Sequence, residues 1–95
     1  MDKRIEILAH NLINYSTHLQ KNEKILIEIT DDGIELGKAL LKEVYKAGAI
    51  PFLTYKVQQL QRQLLLGAVK EQMKFIAEYE SMRMKGMDAY IAIRG

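Results

Sequence analysis

The sequence has no cysteine, no tryptophan, a single proline, only two histidines and no strong excess of charge of either sign. Without cysteine, disulfides, thiolate metal ligands and a cysteine nucleophile are excluded. Fourteen basic and twelve acidic residues give a formal net charge of +2, which is too small to indicate a nucleic-acid or membrane-surface partner. No segment approaches the ~20 apolar residues of a membrane span, and the amino end has no signal-peptide pattern. We therefore expect a cytoplasmic protein that binds neither nucleic acid nor membrane.

What the sequence does contain is typical of one small folded domain. Its 95 residues are 48% hydrophobic and 27% charged, an ordinary balance for a globular chain. No repeat, linker or low-complexity segment divides it. We expect a single α/β domain over residues 1–95.

The first half of the chain alternates between helical and extended patterns. Apolar residues at helical spacing predict a helix from about Lys3 to Tyr15. A polar segment follows, in which Asn22 is the residue expected to take a left-handed conformation. Lys24–Thr30 is a near-continuous apolar run, typical of a strand covered on both faces, and its Glu28 needs solvent or a partner.

Glycine and proline mark the boundaries of the next two elements. Gly37 lies inside a helical pattern, where it costs about 1 kcal/mol relative to alanine, so we expect it to permit close contact between helix and sheet. Gly48 stands where a glycine ends a helix. The segment "IPFLTYKV" then predicts a second strand, because Pro51 is tolerated among a strand's first residues.

The remaining third of the chain predicts two helices and a strand. The helical pattern is interrupted near Gly67 and ends at Gly86, and "MDAYIAIRG" is extended. The element order is therefore α-β-α-β-α-α-β. This order predicts a three-layer, Rossmann-like partial domain with a parallel three-stranded sheet in strand order 2-1-3. The chain stops just after the third strand, so we expect a domain that is cut short.

The acidic turn after the first strand, "TDDGIELGK", allows three interpretations. A phosphate loop is excluded because the two glycines have the wrong spacing and the two carboxylates would repel the anion. A Mg²⁺-dependent receiver domain would need an aspartate at the end of the third strand, where Arg94 stands. We favour the third interpretation, in which Asp31 or Asp32 caps the following helix.

The other polar residues give weaker indications. His10 and His18 lack the spacing of metal ligands, no serine has a nucleophile motif, and the basic residues near the carboxyl end alternate with glutamates. Arg94 is the exception, because ligands bind at the carboxyl ends of strands in open α/β sheets. A cleft residue and an ordinary surface arginine are equally compatible with its position.

Three segments in order resemble a known family. They are "RIEILAHNLINYSTHLQKNEKILIEI", "LGKALLKEVYKAGAIPFL" and "MDAYIAIRG". Together they resemble the opening of the thermophilic-type metallo-aminopeptidases, the aminopeptidase T and S family, along essentially the whole chain. The family usually has glycine where Asn22 stands, and often a second glycine where Ala49 stands.

The resemblance implies a larger parent enzyme that releases amino-terminal residues from peptides. It implies that two divalent metal ions (zinc, cobalt or magnesium) bind a later domain, so that this chain holds no cofactor, no metal ligand and no catalytic residue. Our leading hypothesis is an amino-terminal scaffold and cleft wall, inactive by itself. The alternative is a free-standing α/β interaction module without enzymatic activity. We also expect a homo-oligomer, formed through an exposed sheet edge or uncovered apolar helix faces.

Overall fold

The computed structural model describes residues 2–94. Its elements, in chain order, are α1 (Lys3–Asn11), a π-helical turn (Leu12–Ser16), β1 (Lys24–Thr30), α2 (Ile34–Lys46), β2 (Ile50–Lys56), α3 (Gln58–Leu66), α4 (Lys70–Lys85) and β3 (Ala89–Arg94). This succession confirms the predicted order of helices and strands.

The three strands form one parallel sheet in the order β2-β1-β3, which confirms the predicted topology. β1 lies in the centre, so that Ile27 is paired with Leu53 on one side and with Ile91 on the other. Paired residues of parallel strands point to the same face of the sheet. Leu53, Ile27 and Ile91 therefore form one row across all three strands.

The core lies mainly on the face of the sheet that α1 and α2 cover. Ile25, Ile27 and Ile29 alternate along β1 and pack in one buried cluster with Ile13 of the π-helical turn and Leu40 of α2. Leu26 points to the opposite face because side chains alternate along a strand, and it is only 1% exposed. β1 is therefore buried on both faces, as its near-continuous apolar run predicts.

The first helix differs in detail from the prediction of a regular helix to Tyr15. Its last turn widens into a π-helical turn, in which the Thr17 N–H donates to the Leu12 carbonyl at 3.0 Å. The Thr17 hydroxyl also donates to the carbonyls of Leu12 and Ile13, at 3.0 Å each. The side chain thereby satisfies carbonyls that the helix end leaves without a partner.

Two residues predicted to mark chain reversals do so together. Asn22 has φ 69° and Gly48 has φ 74°, and the Asn22 N–H donates to the Gly48 carbonyl at 3.0 Å. Both residue types tolerate the left-handed region. The turn before β1 is thus joined to the turn after α2.

Gly37 makes the close contact predicted for it. A Cβ at this position would lie 3.0 Å from both Cδ1 and Cγ1 of Ile29, which is 2% exposed in the centre of the sheet. The missing side chain therefore lets the α2 backbone approach β1.

α3 and α4 contribute little to the core. The structure describes both helices completely, and none of their residues is buried. The break between them follows Leu66, which confirms the interruption predicted near Gly67. Within residues 2–94 there is no helix whose length and apolar content would suit a membrane crossing.

Candidate functional site at the carboxyl edge of the sheet

The carboxyl ends of the three strands meet at one edge. Thr30, the last residue of β1, is paired with Lys56 at the end of β2 and with Arg94 at the end of β3. Neighbouring strands lie about 4.8 Å apart, so this row places a hydroxyl between two cationic side chains. It is the edge at which open α/β sheets bind their ligands.

Asp31 connects this edge to α3. Its backbone takes the left-handed conformation, with φ 51°, and its N–H donates to the Lys56 carbonyl at 3.0 Å. Its Oδ1 accepts from the Gln58 N–H at 3.0 Å, and its carbonyl accepts from the Tyr55 hydroxyl at 3.0 Å. Gln58 is the first residue of α3, whose first N–H groups have no partner within the helix.

The prediction that Asp31 or Asp32 caps α2 is therefore wrong. Gly33 is the residue that caps α2, and no side chain of the described residues makes a capping hydrogen bond there. The left-handed backbone of Asp31 carries its carboxylate across to α3, whereas an N-cap residue must immediately precede the helix. Asp32 is exposed in the same turn. The sequence indicated a capping carboxylate correctly but assigned it to the wrong helix.

Glu28 has the partner that its position in an apolar strand requires. Its Oε2 lies 3.4 Å from Nζ of Lys56, with side-chain exposures of 19% and 29%. Both side chains lie on the face opposite the α1–α2 layer, because Glu28 and Lys56 have the same parity in the paired strands. One of the two cations at the carboxyl edge is thereby neutralised by a neighbouring carboxylate.

Arg94 is exposed at the end of β3. It lies beside Thr30, as its place at the end of the third strand predicts. The two cationic strand ends differ, because Lys56 is held by Glu28 while Arg94 faces solvent. Its role in a cleft stays a proposal.

A polar cluster on the same face escaped the sequence analysis. Arg83 of α4 donates from Nη1 to the Thr54 hydroxyl and from Nη2 to the Glu80 carboxylate. The Arg83 side chain is only 28% exposed. The three-residue separation of Glu80 and Arg83, which puts them on neighbouring turns of a helix, could have indicated the pair.

The histidines are not brought together. His10 Nδ1 lies 3.2 Å from Oε2 of Glu43 and 3.2 Å from Nδ2 of Asn14, which links α1 to α2. His18 has φ 49° and is exposed. Residues 2–94 contain no group of three or more histidine, aspartate and glutamate side chains arranged to hold a metal ion. These residues do not fit the metal centre that the resemblance implies for the parent.

Comparison with known proteins identifies the family. The sequence profile of the thermophilic metalloprotease (M29) family matches residues 1–95. The chain belongs to the M29 family. No curated protein sequence matches it. Among solved structures, the M29 chain is similar to wild-type AmpT from Thermus thermophilus, with a TM-score of 0.62 and 24% identity. The match covers 73% of this chain and 18% of the AmpT chain, and at that identity it supports the fold.

Proposed function

We propose that this chain is the amino-terminal scaffold and cleft-wall portion of a metal-dependent aminopeptidase, a hydrolase that releases amino-terminal residues from peptides. The observation that carries the proposal is the match of the M29 family over all 95 residues. The similarity to AmpT supports it, because the match covers only 18% of that chain. Peptides are then the substrates of the parent enzyme, and its location is cytoplasmic.

In this proposal the reactive centre lies outside the chain. Two divalent metal ions, zinc, cobalt or magnesium, would activate water and polarise the scissile carbonyl in the parent. The 95 residues hold neither ion and contribute no catalytic residue. They supply a rigid sheet whose carboxyl edge forms part of the wall of the cleft.

Activity of the isolated chain tests this division of labour. We expect the purified 95-residue protein to hydrolyse leucyl-p-nitroanilide no faster than buffer, with or without added Zn²⁺, Co²⁺ or Mg²⁺. AmpT, assayed in parallel, is the positive control for the metals and the substrate. Turnover by the 95-residue protein that a chelator abolishes would overturn the proposal.

Arg94 is the residue of this chain that we place in the cleft. Its exposed guanidinium at the carboxyl edge can pair with a carboxylate of a bound peptide. In the parent enzyme, Arg94→Gln should raise KM for a peptide with a free carboxyl end and leave KM for its amide unchanged. Arg62→Gln, a cation on α3, is the matched control. Equal effects on both substrates would reject the assignment.

A further inference from the structure

β2 forms an outer edge of the sheet whose hydrogen-bonding groups are open. The Ile50 N–H donates to the Glu23 carbonyl at 2.8 Å, and the Lys56 carbonyl accepts from the Asp31 N–H at 3.0 Å. Even-numbered residues of β2 therefore face β1, because the direction of the N–H and C=O groups alternates along a strand. Leu53 and Tyr55 consequently turn both backbone groups outward, where the order β2-β1-β3 leaves no further strand among residues 2–94.

The side chains at this edge are apolar and incompletely covered. Leu53 and Tyr55 are each 50% exposed. They line a cavity of about 210 Å³ together with residues of β1 and α2, among them Ile29, Ile34 and Leu41. Open backbone groups and an open apolar cavity thus coincide on one side of the molecule, which is the combination that strand addition uses.

We propose that the β2 edge pairs antiparallel with β2 of a second copy of this chain, around a two-fold axis at Thr54. Leu53 then lies opposite Tyr55 of the second copy, and Tyr55 opposite Leu53. The two sheets join into one of six strands. Each Leu–Tyr pair joins the cavity of one copy to the cavity of the other, because Leu53 and Tyr55 line the cavity in both.

The backbone selects this register. Each of the two Leu–Tyr pairs exchanges two N–H···O=C bonds, so that all the outward groups of Leu53 and Tyr55 are satisfied. Pro51, which has no N–H, then lies opposite Val57. The Val57 carbonyl already accepts from the Gln61 N–H at 3.0 Å, so it needs no donor from the second copy. An axis at Leu53 would instead set Pro51 opposite Tyr55 and leave the Tyr55 carbonyl without a donor.

The charges at the edge are compatible with a second copy. Lys38, which also lines the cavity, has its Nζ 3.8 Å from Oε1 of Glu35. Each copy therefore brings an ion pair to the interface, which avoids the cost of placing two unpaired cations side by side. A two-fold interface requires one surface to be complementary to itself. β2 meets this requirement, because the outward N–H and C=O groups of Leu53 pair with those of Tyr55 in the second copy, and the reverse.

Cross-linking tests the axis directly, because the natural chain has no cysteine. In the proposed pairing the two Thr54 residues form a non-hydrogen-bonded pair with a Cα–Cα distance of about 4.5 Å, which a disulfide can span. Thr54→Cys should give a disulfide-linked dimer under mild oxidation. The matched control is Phe52→Cys on the same face, which lies opposite Lys56 of the second copy and should cross-link at least tenfold more slowly. Equal rates would overturn the proposal.

Sedimentation tests the backbone bonds. The wild-type chain should reach a dimer as its concentration rises into the range of about 100 μM. Leu53→Pro removes an outward N–H and leaves the bonds to β1 in place, so it should remain a monomer at the same concentration. Leu53→Val retains the N–H and should still dimerise, and circular dichroism should show that both variants are folded.

Amide exchange provides a reading that needs no variant. Exchange of the Leu53 and Tyr55 amides should slow with increasing protein concentration, while the other β2 amides remain unchanged. A wild-type monomer at every concentration would contradict the proposal, and so would a dimer in which these two amides stay unprotected. The latter result would indicate association through another face, such as α3 and α4.

Discussion

At the scale of single residues, Asp31 and Gly37 show how the fold depends on what a side chain reaches. Asp31 has a left-handed backbone, and its carboxylate accepts a hydrogen bond from the first N–H of α3. Gly37 has no side chain, and the space that a Cβ would occupy is taken by Ile29. Both positions were noticed in the sequence, one for its charge and one for its cost in a helix.

Replacing Asp31 should separate its role from that of its neighbour. Asp31→Ala removes the acceptor for Gln58 and places alanine in the left-handed region, so the free energy of unfolding should fall by about 1–2 kcal/mol. Asp31→Asn retains an oxygen acceptor and tolerates that backbone, and should cost less than half as much. Asp32→Ala is the control, expected within about 0.5 kcal/mol of wild type. Urea unfolding measures the free energy of unfolding of all three variants. A larger loss of stability in Asp32→Ala than in Asp31→Ala would support the predicted cap of α2 instead.

Gly37→Ala sets two effects against each other. Alanine improves helix propensity by about 1 kcal/mol, but its Cβ would lie 3.0 Å from two atoms of Ile29, and overpacking typically costs about 1–3 kcal/mol. We expect a net loss of about 1 kcal/mol in thermal or urea unfolding, because Ile29 is β-branched and buried in the centre of the sheet. In Gly67→Ala no atom lies within 4 Å of the added Cβ, and stability should hardly change. A stabilised Gly37→Ala would mean that Ile29 moves freely.

At the scale of elements, β1 explains why the fold could be predicted. An apolar run without alternation is stable as a strand only when both faces are covered. The structure covers one face with α1 and α2 and buries Leu26 on the other. Glu28, the exception in the run, is held by Lys56 of the neighbouring strand.

Leu26→Ala measures how well the second face is covered. Leu26 is 1% exposed, and truncating a buried leucine typically costs about 2–5 kcal/mol because a cavity remains. We expect chemical denaturation to show a loss of about 3 kcal/mol in the free energy of unfolding. Leu60→Ala is the control on α3, where the side chain is 68% exposed, and should cost under about 0.5 kcal/mol. A loss below about 1 kcal/mol at Leu26 would show that this face can collapse or admit water.

At the scale of the whole molecule, the buried residues are unevenly distributed. The main buried cluster includes residues of α1, the π-helical turn, α2, β1 and β3. α3 and α4 have none, and their exposed apolar residues include Leu60, Leu66, Phe75 and Met82. Elements with few buried contacts open at a lower free energy than the rest of a protein.

Native-state hydrogen exchange should reveal this asymmetry. We expect the most protected amides of α4 to exchange at least tenfold faster than those of β1 and α2, because α4 can open while the main cluster stays intact. The matched reference is α2, a helix that carries four of the buried residues. Equal protection, with equal dependence on denaturant, would show that α4 unfolds only with the whole domain.

The sequence by itself determined the order of the elements, the parallel topology and the positions of the turns, since periodicity, glycine and asparagine act through local backbone preferences. It also indicated the family, through three segments spread along the chain. Only the tertiary structure decided which helix receives the Asp31 carboxylate, that Arg83 reaches Thr54, and that Leu53 and Tyr55 stand at an open edge. Those contacts join residues more than twenty positions apart or depend on which strand ends the sheet, and local preferences do not specify such distances.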